Sequence, residues 1–110
     1  MVRQGPGKKL SIYVDETDRH GSRPVYEVLI DLFYKSRIAG VSVFRGVAGY
    51  GGDGVFHTSK LLELSTSLPL KIEVVDTEEK IAAILPEVAR LVAKGLVELS
   101  DTIVIKSSNR

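Results

Sequence analysis

A glycine-rich stretch is the part of the sequence whose residue types are best suited to binding an anion. The segment "FRGVAGYGGDG" at positions 44–54 has five glycines within nine residues and directly follows the apolar run "VSVF". Backbone N–H groups exposed by glycine, together with a nearby guanidinium, bind phosphate or carboxylate. Arg45, Tyr50 and His57 surround the stretch. The sequence therefore predicts an anion-binding loop in which Tyr50 could stack on a base.

Two other interpretations of the same glycines stay open at this level. Gly49, Gly51 and Gly54 spell G-x-G-x-x-G, and Asp76 ends an apolar run further on, which is close to a dinucleotide-binding fingerprint. That interpretation requires a helix from about Val55 to Ser65, and the chain is too short for a complete doubly wound domain. The other interpretation is a flexible hairpin connection whose glycines supply positive φ angles.

A second charged segment, "DETDRHGSRP", lies between the first predicted strand and the first predicted helix. Arg19, His20 and Arg23 lie near a helix N-terminus, a place that suits phosphate, so they form a possible secondary anion site. Three acidic residues of the same segment oppose that positive potential: Asp15, Glu16 and Asp18.

Metal and catalytic chemistry have weaker support in the sequence. His20 and His57 could bind a metal together with a carboxylate, but they show none of the usual ligand spacings, so we expect no metal. His57 could act as the base of a small phosphohydrolase, although no nucleophile is marked by its context. The chain has no cysteine, which excludes disulfides and thiolate chemistry. We therefore expect a protein that is not an enzyme.

Composition limits the partners. The net charge of +1 gives no electrostatic basis for binding nucleic acid. No apolar run approaches the roughly 20 residues of a membrane span, so we expect no membrane insertion. Cysteine-free composition is consistent with a cytoplasmic protein.

The elements that must position these residues follow from hydrophobic periodicity. Alternation at Leu10, Ile12 and Val14 predicts a strand, and two apolar stripes of helical spacing predict one helix after Pro24 and another after Asp76. Ser22 or Arg23 should cap the first helix and Gly40 should end it, whereas Asp76 or Thr77 should cap the second. Residues 55–67 fit a helix or an extended segment equally well. Residues 96–106 fit one long strand or two short ones, with a possible bulge near Asp101.

The predicted order is strand, helix, strand, glycine loop, strand, helix, strand. This is the α+β ferredoxin-like βαββαβ arrangement, with a four-stranded antiparallel sheet and two helices on one face. We expect residues 1–8 to be a disordered leader and residues 9–110 to form a single domain.

Three segments, "DRHGSRPVYEVL", "GVSVFRGVAGYG" and "LPLKIEVVDTEEKI", resemble the PII-like proteins, a family of unknown function related to the PII nitrogen-regulatory signalling proteins. The resemblance covers residues 9–106. It implies a homotrimer whose sheets pack around a central axis and which binds adenine nucleotides in the clefts between subunits. The loop after the second strand would close over the phosphates and report to a protein partner. The ligand-binding residues that the resemblance implies are Arg45, Gly46, Val47, Ala48, Gly49, Tyr50 and Gly51, with Lys71 and Glu73 near the adenine.

The sequence departs from the PII pattern in one informative place. A second glycine-rich basic loop would follow the second helix, but here that place reads "AKGLVELS". AMP is therefore expected as the ligand in preference to a triphosphate. The expected function is that of a regulatory module that binds an AMP-like nucleotide and signals by ordering a loop. A metal-binding trimer using His20 or His57 and a ligand-free structural trimer are the alternatives.

Overall fold

The computed structural model describes residues 4–58 and 67–108 of the 110-residue chain. The elements in these residues, in chain order, are β1 (Gly5–Asp15), β2 (Arg19–His20), β3 (Arg23–Pro24), α1 (Val25–Lys35), β4 (Val41–Arg45), β5 (Ala48–Gly49), β6 (His57–Thr58), β7 (Pro69–Asp76), α2 (Glu78–Leu91) and β8 (Leu96–Val104).

The four long strands form one antiparallel sheet in the order β4-β7-β1-β8. β1 pairs with both β7 and β8, and β4 pairs with the other edge of β7. With α1 between β1 and β4 and α2 between β7 and β8, this is the ferredoxin-like topology, so the predicted α+β fold is confirmed.

The core lies between one face of the sheet and the two helices. Alternate residues of the central strands point into it, among them Leu10 and Ile12 of β1 and Ile72 of β7, all fully buried. α1 contributes residues spaced four apart, and α2 contributes a stripe of helical spacing, as both apolar patterns predicted. The buried helix residues are Val25, Leu29 and Phe33 of α1 and Ile81, Ile84, Val88 and Leu91 of α2.

The first strand begins earlier than the sequence indicated. β1 begins at Gly5, and its residues 5–8 pair with residues 101–104 of β8. An ion pair between Lys8 and Asp101 joins the same two strands. The prediction of a leader over residues 1–8 is therefore wrong for residues 5–8, because the long edge strand supplies partners for them. Residues 1–3 lie outside the described residues, and β8 keeps one register with β1 through Asp101, without the bulge considered above.

The ends of α1 also differ from expectation. Its N-cap is Pro24, with no side-chain cap hydrogen bond from Ser22 or Arg23. At its other end Arg37, and not Gly40, takes the left-handed conformation, with φ of 59°. The Arg37 N–H donates to the Tyr34 carbonyl and the Ile38 N–H to the Phe33 carbonyl, which together form a Schellman motif. For α2 the prediction is confirmed, since the Thr77 side chain accepts from the Lys80 N–H.

Candidate functional site: a cleft beside the glycine loop

A cleft of about 1010 Å³ opens at one end of the sheet. The last residues of β1 and β4 and the first residues of β7 and β8 meet there, because neighbouring strands are antiparallel. The glycine loop that follows β4 forms another wall, and Lys94 and Gly95 border the cleft before β8. One end of each of the four long strands therefore contributes to a single concave surface.

Most of the predicted binding residues line this cleft. Those that do are Arg45, Gly46, Ala48, Gly49, Tyr50, Gly51 and Lys71. Val47 and Glu73 do not line the cleft. Val47 is 74% exposed, and Glu73 lies two residues beyond Lys71 on β7. His57 also lines the cleft, since it pairs with Gly49 across β5 and β6.

A small hairpin shapes the glycine loop. β5 pairs with β6, and between them the Gly54 N–H donates to the Gly51 carbonyl over 2.9 Å, which closes a tight turn. Gly54 has φ of 73°, a conformation that side chains disfavour. The rings of Tyr50 and Phe56 pack on each other with centroids 5.0 Å apart. The extended pair His57–Thr58 excludes the helix from Val55 that the dinucleotide interpretation requires.

The packing of the fold requires glycine at position 46. Its N–H donates to the Pro69 carbonyl over 2.7 Å, so this N–H is already used within the fold. A Cβ at position 46 would lie 2.7 Å from Cγ of Pro69, closer than such atoms approach. The close contact between the end of β4 and the start of β7 therefore requires glycine here.

Three other glycines of the loop have no such structural requirement. Among the described residues, a Cβ added at Gly51 or Gly52 would meet nothing within 4 Å, and one at Gly49 would make only an ordinary 3.5 Å contact with Pro69. All three line the cleft. The described part of the fold does not explain glycine at these positions, whereas a ligand that approaches the backbone would.

The sequence did not indicate the partner of Arg45. Nη2 of Arg45 donates to both carboxylate oxygens of Glu16, over 2.9 and 2.8 Å. Oε1 of Glu16 also accepts from the Leu68 N–H over 3.1 Å. The hydrogen bond from Arg45 lowers the pKa of Glu16, and the bond from Leu68 acts in the same direction. In the sequence Glu16 belongs to an acidic loop. It lies near Arg45 because β1 and β4 both flank β7.

Each cationic residue lining the cleft, among the residues that the structure describes, has a carboxylate near it. Besides Arg45 with Glu16, Nζ of Lys71 lies 3.1 Å from Glu73, and Nζ of Lys94 lies 3.9 Å from Asp18. The hydrogen bond to Glu73 raises the pKa of Lys71. Lys71 Nζ also lies 5.8 Å from the centre of the Tyr13 ring.

The second predicted anion site forms a separate hairpin of β2 and β3. Nη1 of Arg19 donates to the Ser22 carbonyl, and Nη1 of Arg23 lies 2.9 Å from Asp31 of α1. The structure thus brings Arg19, His20 and Arg23 together, but Arg23 is paired with an acid. A phosphate site there stays a prediction.

The dinucleotide interpretation also fails at Asp76. This side chain is fully buried, and its carboxylate accepts from the Ala39 N–H over 3.0 Å and from the Thr77 N–H over 2.7 Å. A carboxylate with these partners ties α1's end to β7 and does not face a ribose. The acidic residue after the strand was correctly located, but its role is structural.

The metal alternative has no cluster to support it. His57 lines the cleft, whereas His20 lies on β2. Within residues 4–58 and 67–108 no three His, Cys, Asp or Glu side chains lie together so as to hold a metal ion.

In the same residues no helix is long and apolar enough to cross a membrane.

The α+β ferredoxin-like fold of this chain, with a glycine loop beside one end of the sheet, is that of PII-like structures. The chain belongs to the DUF190 family, described as "Uncharacterized ACR, COG1993", whose pattern matches residues 7–104. It is 36% identical over 98 residues to a UPF0166 protein of Aquifex aeolicus, covering 89% of this chain and 92% of the relative. A UPF0166 protein of Methanocaldococcus jannaschii is 34% identical over 100 residues, with coverage of 90% and 92%.

Solved structures of similar fold belong to CPII, a nitrogen regulatory PII-like protein from Thiomonas intermedia K12. One, bound to ADP, AMP and bicarbonate, has a TM-score of 0.71 at 20% identity and covers 94% of this chain and 92% of CPII. Another, bound to ADP and bicarbonate, has a TM-score of 0.68 at 21% identity with coverage of 94% and 93%. These comparisons show that the chain shares the fold of the PII-like protein CPII.

Proposed function

We propose that this protein is a regulatory module that binds an adenine nucleotide, of the AMP type, in the cleft beside the glycine loop. The observation that carries the proposal is the convergence in one cleft of three glycines that the fold does not require, the Arg45 guanidinium and the Tyr13 ring. The ADP and AMP bound by CPII, a protein of the same fold, support it.

The two ends of the cleft suit the two ends of a nucleotide. The phosphate lies against the backbone of Gly49, Gly51 and Gly52, with Arg45 beside it, since a guanidinium makes strong charge-assisted bonds to phosphate. The base lies toward Tyr13, Phe44 and Lys71 on the open face of the sheet. The cleft volume of about 1010 Å³ is ample for one nucleotide.

We place this cleft between subunits of a homotrimer. The sheet face opposite the helices exposes Phe44, 53% accessible, and Leu96, 52% accessible, and both border the cleft. A second copy packed on that face would cover these side chains and enclose the ligand. Light scattering should then give a mass three times the 12.0 kDa of one chain. A mass of one chain, with or without nucleotide, would contradict the trimer.

Signalling follows from ordering of residues 49–58 around the phosphate. The loop carries exposed apolar side chains, Tyr50, Val55 and Phe56, whose arrangement depends on the hairpin of β5 and β6. A ligand that binds one loop conformation better shifts the population toward it and changes the surface presented to a protein partner. No chemical step is involved.

Calorimetric titration with AMP, ADP, ATP and NAD tests the proposal. We expect saturable binding of about one AMP per chain and a loss of about tenfold or more in affinity in Arg45→Ala, the usual scale for one charge-assisted contact. Arg90→Ala is the matched control, because Arg90 pairs with Glu87 at 2.6 Å on α2, outside the cleft. The proposal would be overturned if none of the four nucleotides bound, or if wild type and Arg45→Ala bound AMP equally tightly.

A further inference from the structure

The charges around the cleft are unusual for a phosphate site. Three cationic and four acidic side chains line it among the described residues, and each of the three cations lies within 4.0 Å of a carboxylate. A site for a highly charged phosphate chain presents unpaired cations. The ligand of this cleft must therefore compete with the protein's own carboxylates.

Glu16, which lies beside the cleft and outside its lining, is the strongest competitor for the guanidinium of Arg45. It engages the guanidinium through both oxygens, over 2.9 and 2.8 Å, whereas the Lys94–Asp18 pair is 3.9 Å apart. Its side chain is 21% exposed, against 62% for Arg45. The Leu68 N–H, 3.1 Å from Oε1, donates to the same carboxylate and favours its position beside Arg45.

We propose that Glu16 sets the charge of the ligand that this cleft accepts: it occupies the Arg45 guanidinium and repels further phosphates, so that a nucleoside monophosphate is favoured over a triphosphate. This inference rests on the proposed function, since it names the specificity of the same cleft. A bound phosphate takes over Arg45 from a carboxylate that stays beside it, tied to Leu68. The repulsion from that carboxylate grows with each added phosphate, because each adds negative charge near the same point.

The test is the ratio of ATP affinity to AMP affinity in wild type and Glu16→Gln. Glutamine keeps the shape and an oxygen that can accept from Leu68, but it carries no charge. We expect Glu16→Gln to bind ATP about tenfold more tightly than wild type and AMP only about threefold more tightly. Glu87→Gln, which breaks a glutamate–arginine pair outside the cleft, should leave both affinities unchanged.

A double variant shows whether Arg45 mediates the effect. Occupation of the guanidinium weakens AMP and ATP binding alike, whereas repulsion of the outer phosphates does not require Arg45. When Arg45→Ala is combined with Glu16→Gln, the gain that AMP and ATP share should therefore disappear, and the additional gain for ATP should remain. Loss of the ATP-specific gain in the double variant, or an unchanged ATP-to-AMP ratio in Glu16→Gln while wild type binds AMP, would overturn the role of Glu16 and leave the proposed function standing.

Tripolyphosphate, which has no adenine, separates the two proposals. Binding of tripolyphosphate by Glu16→Gln more tightly than by wild type, with no response to any adenine nucleotide, would uphold the charge limit and overturn the adenine ligand. No binding of tripolyphosphate or nucleotide by either protein would overturn both. The thermal unfolding of each variant is followed alongside, so that loss of folding is recognised as such.

Discussion

A single guanidinium nitrogen of Arg45 lies 2.9 and 2.8 Å from the two carboxylate oxygens of Glu16. The pair joins the loop after β1 to the end of β4, and through Leu68 it reaches the start of β7. Three chain segments that are distant in sequence thus meet at one carboxylate on the edge of the cleft. We expect the same contact to affect stability, acid sensitivity and the charge of the ligand that is accepted.

The stability of this pair should depend on pH in a defined direction. The pKa of Glu16 is lowered in the folded protein, chiefly by Arg45, so protonation favours the unfolded chain. The stabilisation is complete at neutral pH and is lost as the pH falls below the ordinary range of a glutamate, through the lowered pKa. We expect Glu16→Gln to be less stable than wild type by about 1 kcal/mol at neutral pH, the scale of a partly exposed pair, and equal to it in acid.

Urea unfolding of both proteins across the acid range measures this difference. Glu87→Gln is the comparison, since Arg90 also lowers the pKa of Glu87, but both of those side chains are about half exposed on one helix. Its effect should be smaller. A Glu16→Gln difference that persists unchanged to low pH would contradict the ion pair as its source.

Two glycines of the loop should respond oppositely to substitution by alanine. Gly46→Ala forces a Cβ to 2.7 Å from Pro69 and should destabilise the fold by about 1–3 kcal/mol. Gly52→Ala meets open space and should leave stability within about 0.5 kcal/mol of wild type, yet weaken nucleotide binding. Thermal unfolding and titration of the two variants give both readouts. Gly52→Ala with undiminished AMP affinity would remove Gly52 from the phosphate site.

Asp76 should prove structural. Replacement by alanine leaves the partly buried N–H groups of Ala39 and Thr77 without the carboxylate that accepts from them, and we expect a loss of about 2–4 kcal/mol in the free energy of unfolding. Asp31→Ala, at an exposed pair with Arg23, is the control and should cost less than about 1 kcal/mol. NAD binding that depends on Asp76 in a folded variant would instead restore the dinucleotide interpretation.

The sequence predicted the elements whose signals are local. The alternation of Leu10, Ile12 and Val14 and the apolar stripe of α2 each reflect one buried face, and a face is visible in spacing alone. The residues at which helices and strands begin and end were harder to predict. Arg37, just after α1, takes a left-handed conformation that lets the Ile38 N–H bond to the Phe33 carbonyl while both of those side chains are buried. This reason is tertiary and cannot be predicted from the residue type at position 37.

The site was predicted by its loop but not by its electrostatics. The glycines and Arg45 were visible as a cluster because they are adjacent in sequence. The separate roles of Gly46, in contact with Pro69, and of Gly54, in a left-handed turn, depend on partners that only the folded sheet brings close. Glu16 was missed for the same reason, since its contact with Arg45 follows from the register of three strands.

An amide chemical-shift titration of the labelled protein with AMP tests the central claim most directly. The account predicts saturable shifts concentrated at Gly49, Gly51 and Gly52, with the Arg45 side-chain N–H shifting in parallel as it exchanges Glu16 for phosphate. Shifts confined to the hairpin of Arg19 and Arg23, or no shifts at saturating AMP, would contradict it.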